Sequence, residues 1–297
     1  MTNKIRIRFT CVFVLFSTAC FYRVAAQVND FGAGFFQNQY LFNPAMSGLH
    51  EKQGDIGAGY RKSGNIKDGP QSYFFTGDYA FKNNVGAGVN IFFDRAGFLS
   101  TSRMMATYSY HVQLDEIKRL HFGLSLGGIL QRLDMNNIYG DPNDPVLYNY
   151  NNQRMKFEAD FGVAYTDGKL TIQAAAPNLA STFRKENKTI ANQQQFFGAL
   201  SYKTNPSGDD GEWSVEPKIA YMLLKGSRSI GTGGANITYN NLINLFGMYR
   251  TNKSVTIGAG LKLSNFAQIT TIYKTQSEEF KSYSGGDYEI GLILFLR

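Results

Sequence analysis

The sequence predicts an all-β protein: a transmembrane outer-membrane β-barrel of about 14 antiparallel strands with a short plug-like segment at its N-terminus. Three observations predict it. Apolar residues alternate with small or polar ones from residue 54 to the C-terminus, in runs of about ten residues, the length a tilted strand needs to cross a bilayer. The faces opposite the apolar ones carry glycine and isolated charges of both signs, as a barrel lumen does. The connections alternate between tight and long, as they do between the two ends of an outer-membrane barrel.

Composition agrees. Aromatic residues make up 14% of the chain, with 24 Phe and 18 Tyr, and Pro is scarce at 7; such a mixture suits pleated surfaces. The one apolar run lies at the N-terminus, in "MTNKIRIRFTCVFVLFSTACFYRVAAQ". Lys4, Arg6 and Arg8 lead an apolar stretch from Phe9 to Ala19, too short to span a bilayer, and Val24-Ala25-Ala26 offers small residues for cleavage. Residues 1–26 therefore read as a secretory signal peptide cut before Gln27. A lipoprotein signal ending at Cys20 is the rival, but Ser17 stands where Leu is usual. Cleavage removes Cys11 and Cys20, so the mature chain holds no disulfide and no thiolate. It also removes four basic residues and no acid, which takes the formal charge from +7 to +3 and weakens any nucleic-acid reading.

Residues 27–53 are expected to form an N-terminal periplasmic or lumenal segment, and 54–297 the barrel. Strands are predicted near 54–61, 71–81, 84–94, 98–112, 119–133, 155–166, 169–176, 194–204, 212–224, 230–239, 242–251, 254–263, 266–275 and 286–296. In "KFEADFGVAY", Phe157, Ala159, Phe161, Val163 and Tyr165 face one way while Glu158, Asp160 and Gly162 face the other. In "SVTIGAGLKL", Val255, Ile257, Ala259, Leu261 and Leu263 oppose Thr256, Gly258, Gly260 and Lys262. A soluble sandwich would bury the apolar side between two sheets. The barrel turns it to lipid and keeps Asp78, Glu158, Asp160, Glu216, Lys218 and Lys262 in the lumen. Tyr73, Tyr79, Phe81, Phe93, Tyr165, Tyr202, Tyr239, Tyr249 and Tyr273 fall near strand ends, where an interfacial girdle belongs.

If the N-terminus is periplasmic, the even connections should be tight. "KN" at 82–83, "DG" at 167–168, "NN" at 240–241 and "SN" at 264–265 are, and the long connections 134–154, 177–193 and 276–285 fall on the other side. "NPSGDDG" at 205–211 and "NK" at 252–253 break the parity. An even strand count lets the first and last strands pair and close the edge. The chain ends Phe295-Leu296-Arg297 rather than on an aromatic residue, and Pro217 inside the ninth strand removes a ladder donor, for which a local bulge is expected.

The opening stretch "FFQNQYLFNPAMSG", residues 35–48, does not alternate. Asn43 suits a helix N-cap, Pro44 the first helical position and Gly48 a stop, so "NPAMSG" predicts one helical turn. Phe35, Phe36, Tyr40, Leu41 and Phe42 demand burial, which places the segment in the periplasmic mouth. A Gln/Tyr-rich stretch ending in Asn-Pro-Ala-x-x-Gly just after a signal peptide resembles the start of PorP/SprF-type outer-membrane proteins of Bacteroidetes. The matching positions are Gln37, Gln39, Tyr40, Asn43, Pro44, Ala45 and Gly48. The resemblance implies a barrel of the type IX secretion system and gliding machinery, in the bacterial outer membrane. Implied partners are the translocon, periplasmic motor proteins and secreted adhesins bearing a C-terminal sorting domain, with membrane lipid around the barrel.

No catalytic, cofactor or metal site is expected. Glu158 and Asp160 read as lumenal charges facing Lys218 or Lys262 rather than as an acid–base pair. His50, His111 and His121 are scattered, without a metal-binding spacing. "GTGGAN" at 231–236 lacks the Lys-Ser/Thr of a phosphate loop and reads as glycines keeping the lumen free of bulk. No Ser lies in a Gly-x-Ser-x-Gly context, and "DPNDP" at 141–145 reads as a turn, with weak calcium binding the alternative. A transport channel for small or hydrophobic solutes is the alternative function, and an outer-membrane hydrolase a third.

Overall fold

A computed structural model describes residues 33–49, 53–64, 69–82, 84–134, 145–183, 195–206, 208, 211–224, 228–277 and 285–296. The expected signal peptide with its two cysteines, His50, residues 141–144 and parts of the 205–211 connection lie outside them.

Among the described residues the strands are β1 (Gly54–Ser63), β2 (Gln71–Ala80), β3 (Val85–Ala96), β4 (Leu99–Gln113), β5 (Arg119–Leu133), β6 (Lys156–Thr166) and β7 (Leu170–Ala176). They continue with β8 (Gln195–Tyr202), β9 (Trp213–Leu224), β10 (Ile230–Tyr239), β11 (Ile243–Arg250), β12 (Val255–Ser264), β13 (Ala267–Lys274) and β14 (Asp287–Leu296). Each pairs antiparallel with its neighbours in sequence, and β1 pairs with β14 from Gly54↔Leu296 to Ser63↔Asp287, closing the barrel. Closure leaves no unpaired edge, the condition for a sheet to sit in hydrocarbon. A short helix, α1 (Pro145–Asn151), lies in the β5–β6 connection.

Burial is inverted relative to a water-soluble sheet. On β6, Phe157 is 60% exposed while its neighbour Glu158 is 0%. On β14, Ile290 is 59% exposed and Glu289 only 5%. An apolar face left open along every strand is stable only against lipid. Aromatic pairs ring this outer face, among them Tyr60–Tyr73, Tyr79–Phe81, Trp213–Tyr239 and Tyr273–Tyr288, with centroids 4.6–5.1 Å apart.

Turn chemistry sets the hairpins. Asn240 and Asn241 both take positive φ (49° and 53°) between β10 and β11, the geometry that matches strand twist. Gly168 (φ 81°) follows Asp167, whose Oδ1 accepts from the amides of Lys169 and Leu170. Pro217 does not make a bulge. It faces outward, and the β8–β9 register is the same on both sides of it, Ser201↔Lys218 and Thr204↔Val215. Only the ladder lapses there, because the position opposite Tyr202 needs an N–H that Pro lacks. The register shift lies elsewhere, between β12 and β13 at Lys262/Ser264.

The interior is not uniformly small and polar. Ala175, Phe197, Met222, Leu224, Phe246, Met248 and Ile272 form an apolar cluster on the inner wall, and Phe35 and Phe36 complete it. At Tyr221–Leu224 and Leu245–Tyr249 both faces are therefore apolar, one toward lipid and one toward the N-terminal phenylalanines. In "GTGGAN", Gly234 shares the inner face with buried Thr232, whereas Gly231 and Gly233 alternate to the outer face, so these glycines do not all spare the lumen.

Candidate functional site

The candidate site is the contact between residues 33–49 and the inner wall. Three 3-10 turns build the segment: Ala33–Phe35, Gln39–Leu41 and Pro44–Met46. The last is initiated as Asn-Pro implies. Asn43 is extended, its Oδ1 accepts from the Ala45 amide at 3.0 Å, and Pro44 fills the first position. Gly48 ends the turn with φ 63°.

Each residue of the motif reaches the wall. Gln37 Oε1 accepts from Asn244 Nδ2 on β11 (3.0 Å) and Gln268 Nε2 on β13 (2.7 Å). Its neighbour Asn38 donates to Thr76 on β2 at 2.7 Å, so the two adjacent amides straddle the β14–β1 seam. Gln39 Oε1 accepts from Lys218 Nζ on β9 (3.0 Å) and from Gln173 on β7. The Tyr40 hydroxyl shares a hydrogen bond of 2.7 Å with Thr107 on β4, and burial pushes its phenol above the ordinary tyrosine range. Asn43 Nδ2 donates to the Val163 carbonyl on β6 and to Gln173 Oε1. Pro44 and Ala45 are buried, and the Gly48 amide donates to Asp78 Oδ2 on β2 at 2.6 Å. Ser47 adds a bond to Ser109 on β4.

The wall is hollowed to receive these turns. A Cβ on Gly123 would strike the Pro44–Ala45 backbone, one on Gly162 the Asn43 side chain, and one on Gly88 the Tyr40 hydroxyl at 2.6 Å. Close approach of backbone to backbone is what glycine permits here.

The six lumenal charges all lie on inner-face positions but do not pair as expected. Asp160 is held by Arg103 of β4, whose Nη2 stands 2.6 and 2.5 Å from its two oxygens, and by the Asn178 amide at 2.9 Å, not by Lys218 or Lys262. Arg103 reaches Asp160 because β4 stands only two strands from β6, whereas β9 and β12 stand farther around the ring. Glu158 is fully buried one inward position away. Lys218 is spent on the segment, donating to the Phe35 carbonyl at 2.6 Å. Glu216 is half-buried, and Lys262 Nζ lies 5.5 Å from the Phe295 ring centroid.

Sequence spacing missed one cluster. His111 and His121, which look scattered, face each other across the β4–β5 hairpin with Nδ1 atoms 2.8 Å apart, and His121 Nε2 bonds Thr166. The tight turn at 114–118 carried the signal: a hairpin closed there must bring 111 opposite 121. Among the described residues no group of three His, Cys, Asp or Glu side chains could hold a metal ion.

Fold and interior together define an outer-membrane β-barrel whose N-terminal residues line its inside. The chain belongs to the type IX secretion system membrane protein PorP/SprF family, which matches residues 24–294. No curated protein matches. Among solved structures, the chain is similar to the Acinetobacter baumannii outer membrane protein Omp33, at 6% identity and TM-score 0.50, with 83% of this chain and 98% of that one covered. It is also similar to the Ralstonia pickettii toluene transporter TbuX, at 12% identity and TM-score 0.50, covering 86% and 92%. At these identities the likeness is one of fold.

Proposed function

We propose that this barrel is a non-enzymatic component of the type IX secretion and gliding machinery that helps deliver or anchor secreted adhesins bearing a C-terminal sorting domain. In this reading residues 33–49 act as a plug, and the protein works with the translocon and periplasmic motor proteins. The observation that carries it is the hydrogen bonding of the segment to β2, β4, β6, β7, β9, β11 and β13. An interior occupied on so many sides suits a docking platform better than a solute path.

Affinity purification of the tagged protein from its native outer membrane, with mass spectrometry of what accompanies it, tests the proposal. Translocon or motor subunits together with a sorting-domain protein are the expected companions. Isolation of the barrel alone, coupled with release of small solutes from liposomes that contain it, would sink the idea in favour of a transport channel.

A further inference from the structure

A second feature lies at the end of the barrel where β1 begins and β14 ends, and it adjoins the segment: Asn244 and Gln268, which hold Gln37, are part of its lining. A cavity of about 480 Å³, within the range of ligand sites, opens between β8 and β10 to β14. Lys203, Lys262, Thr238 and Asn241 line it, over an apolar floor of Phe295 and Leu242.

Its position selects the phase from which a ligand comes. Lys262 shares a face with buried Thr256, Phe295 with buried Asp287 and Glu289, and Thr238 with buried Thr232. These are inner-face positions, so lipid does not reach them, and a ligand enters from the aqueous mouth. Lys203 is exposed at that mouth.

Charge selects the ligand. Among the described residues neither Lys203 nor Lys262 makes an ion pair. Among the described residues Lys203 and Lys262 are the charged side chains that line the cavity and no carboxylate is part of its lining; Glu216 stands opposite Lys203 in the β8–β9 register. Asp55 and Asp78 face each other across β1 and β2 and line a separate cavity of about 180 Å³, while Glu212, exposed at the rim, bonds through its carbonyl to the Asn240 amide. Asp55 is also opposite Phe295, so it borders the basic cavity on its β1 side.

We propose that the basic cavity is a binding site for a carboxylate-rich polypeptide segment presented from the aqueous side of this mouth. The lysines take the carboxylates, Asn241 and Thr238 supply neutral donors, and Phe295 with Leu242 takes the aliphatic stems. The site stands independently of the identity of the secretion partners above.

Binding of fluorescein-labelled tetraglutamate to the full-length mature chain in zwitterionic detergent at low salt tests this, with tetralysine and citrate as comparison probes. The expected result is binding of tetraglutamate but not tetralysine, weakened about two- to fivefold by Lys203→Gln or Lys262→Gln, as for exposed ion pairs, and more by both. Added salt should weaken it further. Lys62→Gln at the opposite end should change nothing. Lys203 is exposed, and the heat-dependent gel mobility of each variant reports that the barrel is folded. Equal affinity in the folded double variant, or no preference for tetraglutamate over tetralysine, overturns the site. Citrate binding as tightly as the peptide overturns a polypeptide ligand.

Discussion

Lys218 and Phe35 meet inside the barrel: the lysine Nζ donates to the Phe35 carbonyl at 2.6 Å and stands 5.1 Å from the centroid of the same ring. One buried ammonium thus holds both the backbone and the side chain of the first described turn. Lys218→Met keeps the bulk and suits the nearby Phe35 and Phe36 rings, but forfeits the charged hydrogen bonds. We expect a loss of about 1.5–3 kcal/mol in the segment's attachment. Faster maleimide labelling of Ser47→Cys, in a chain lacking Cys11 and Cys20, measures it; unchanged labelling contradicts the anchor.

Gly162 and Gly123 make the second prediction. Leucine at either position occupies the space of Asn43 or of the Pro44–Ala45 backbone. The segment should leave the wall while the barrel, whose ladder is untouched, still shows its folded gel mobility. Asn43→Ala is the gentler version. It removes the cap and the bonds to Val163 and Gln173, at a cost of roughly 1–2 kcal/mol in urea unfolding.

Arg103 and Asp160 are each little exposed, at 16% and 11% of the side chain. Removing the cation alone strands a carboxylate, so Arg103→Met should destabilise by about 3 kcal/mol. Asp160→Asn, which retains an acceptor for the Asn178 amide, should cost less. A double-mutant cycle by urea unfolding should return a coupling above about 0.5 kcal/mol; additive losses would show that the pair does not act as one unit.

The β4–β5 turn makes a prediction about pH. The Lys118 and Ile117 amides and the Lys118 side chain hold the exposed Asp115 carboxyl below the usual carboxylate range. A lowered folded value means the contribution is present above the unfolded value and is lost as pH falls through the folded one. Carbon-detected NMR titration should find Asp115 ionising below the usual aspartate range, and Lys118→Ala should move it upward.

The strands were legible because lipid enforces a strict alternation: Phe157 against Glu158, Ile290 against Glu289. The predicted segments from 54–61 to 286–296 match β1 to β14 within a few residues. Asn43-Pro44 was legible as a turn because its chemistry is local. What stayed hidden depends on which strands stand near which. The Arg103–Asp160 pair follows from β4 lying two strands from β6. The apolar patch of Met222, Phe246 and Met248 has meaning only once Phe35 and Phe36 are known to lie against it. Sequence predicts a bulge at Pro217 because a missing donor is visible there, whereas the tolerance of an outward-facing gap in one ladder is not.

Gln37 and Asn38 carry a final consequence. One clasps β13 and the other β2, so two neighbouring amides brace the joint between the first and last strands from within. Unzipping that joint would have to tear this clasp as well as the ladder. The closure of the barrel therefore has two locks, the strand pairing in the wall and this clasp inside it, and loosening either alone leaves the other in place.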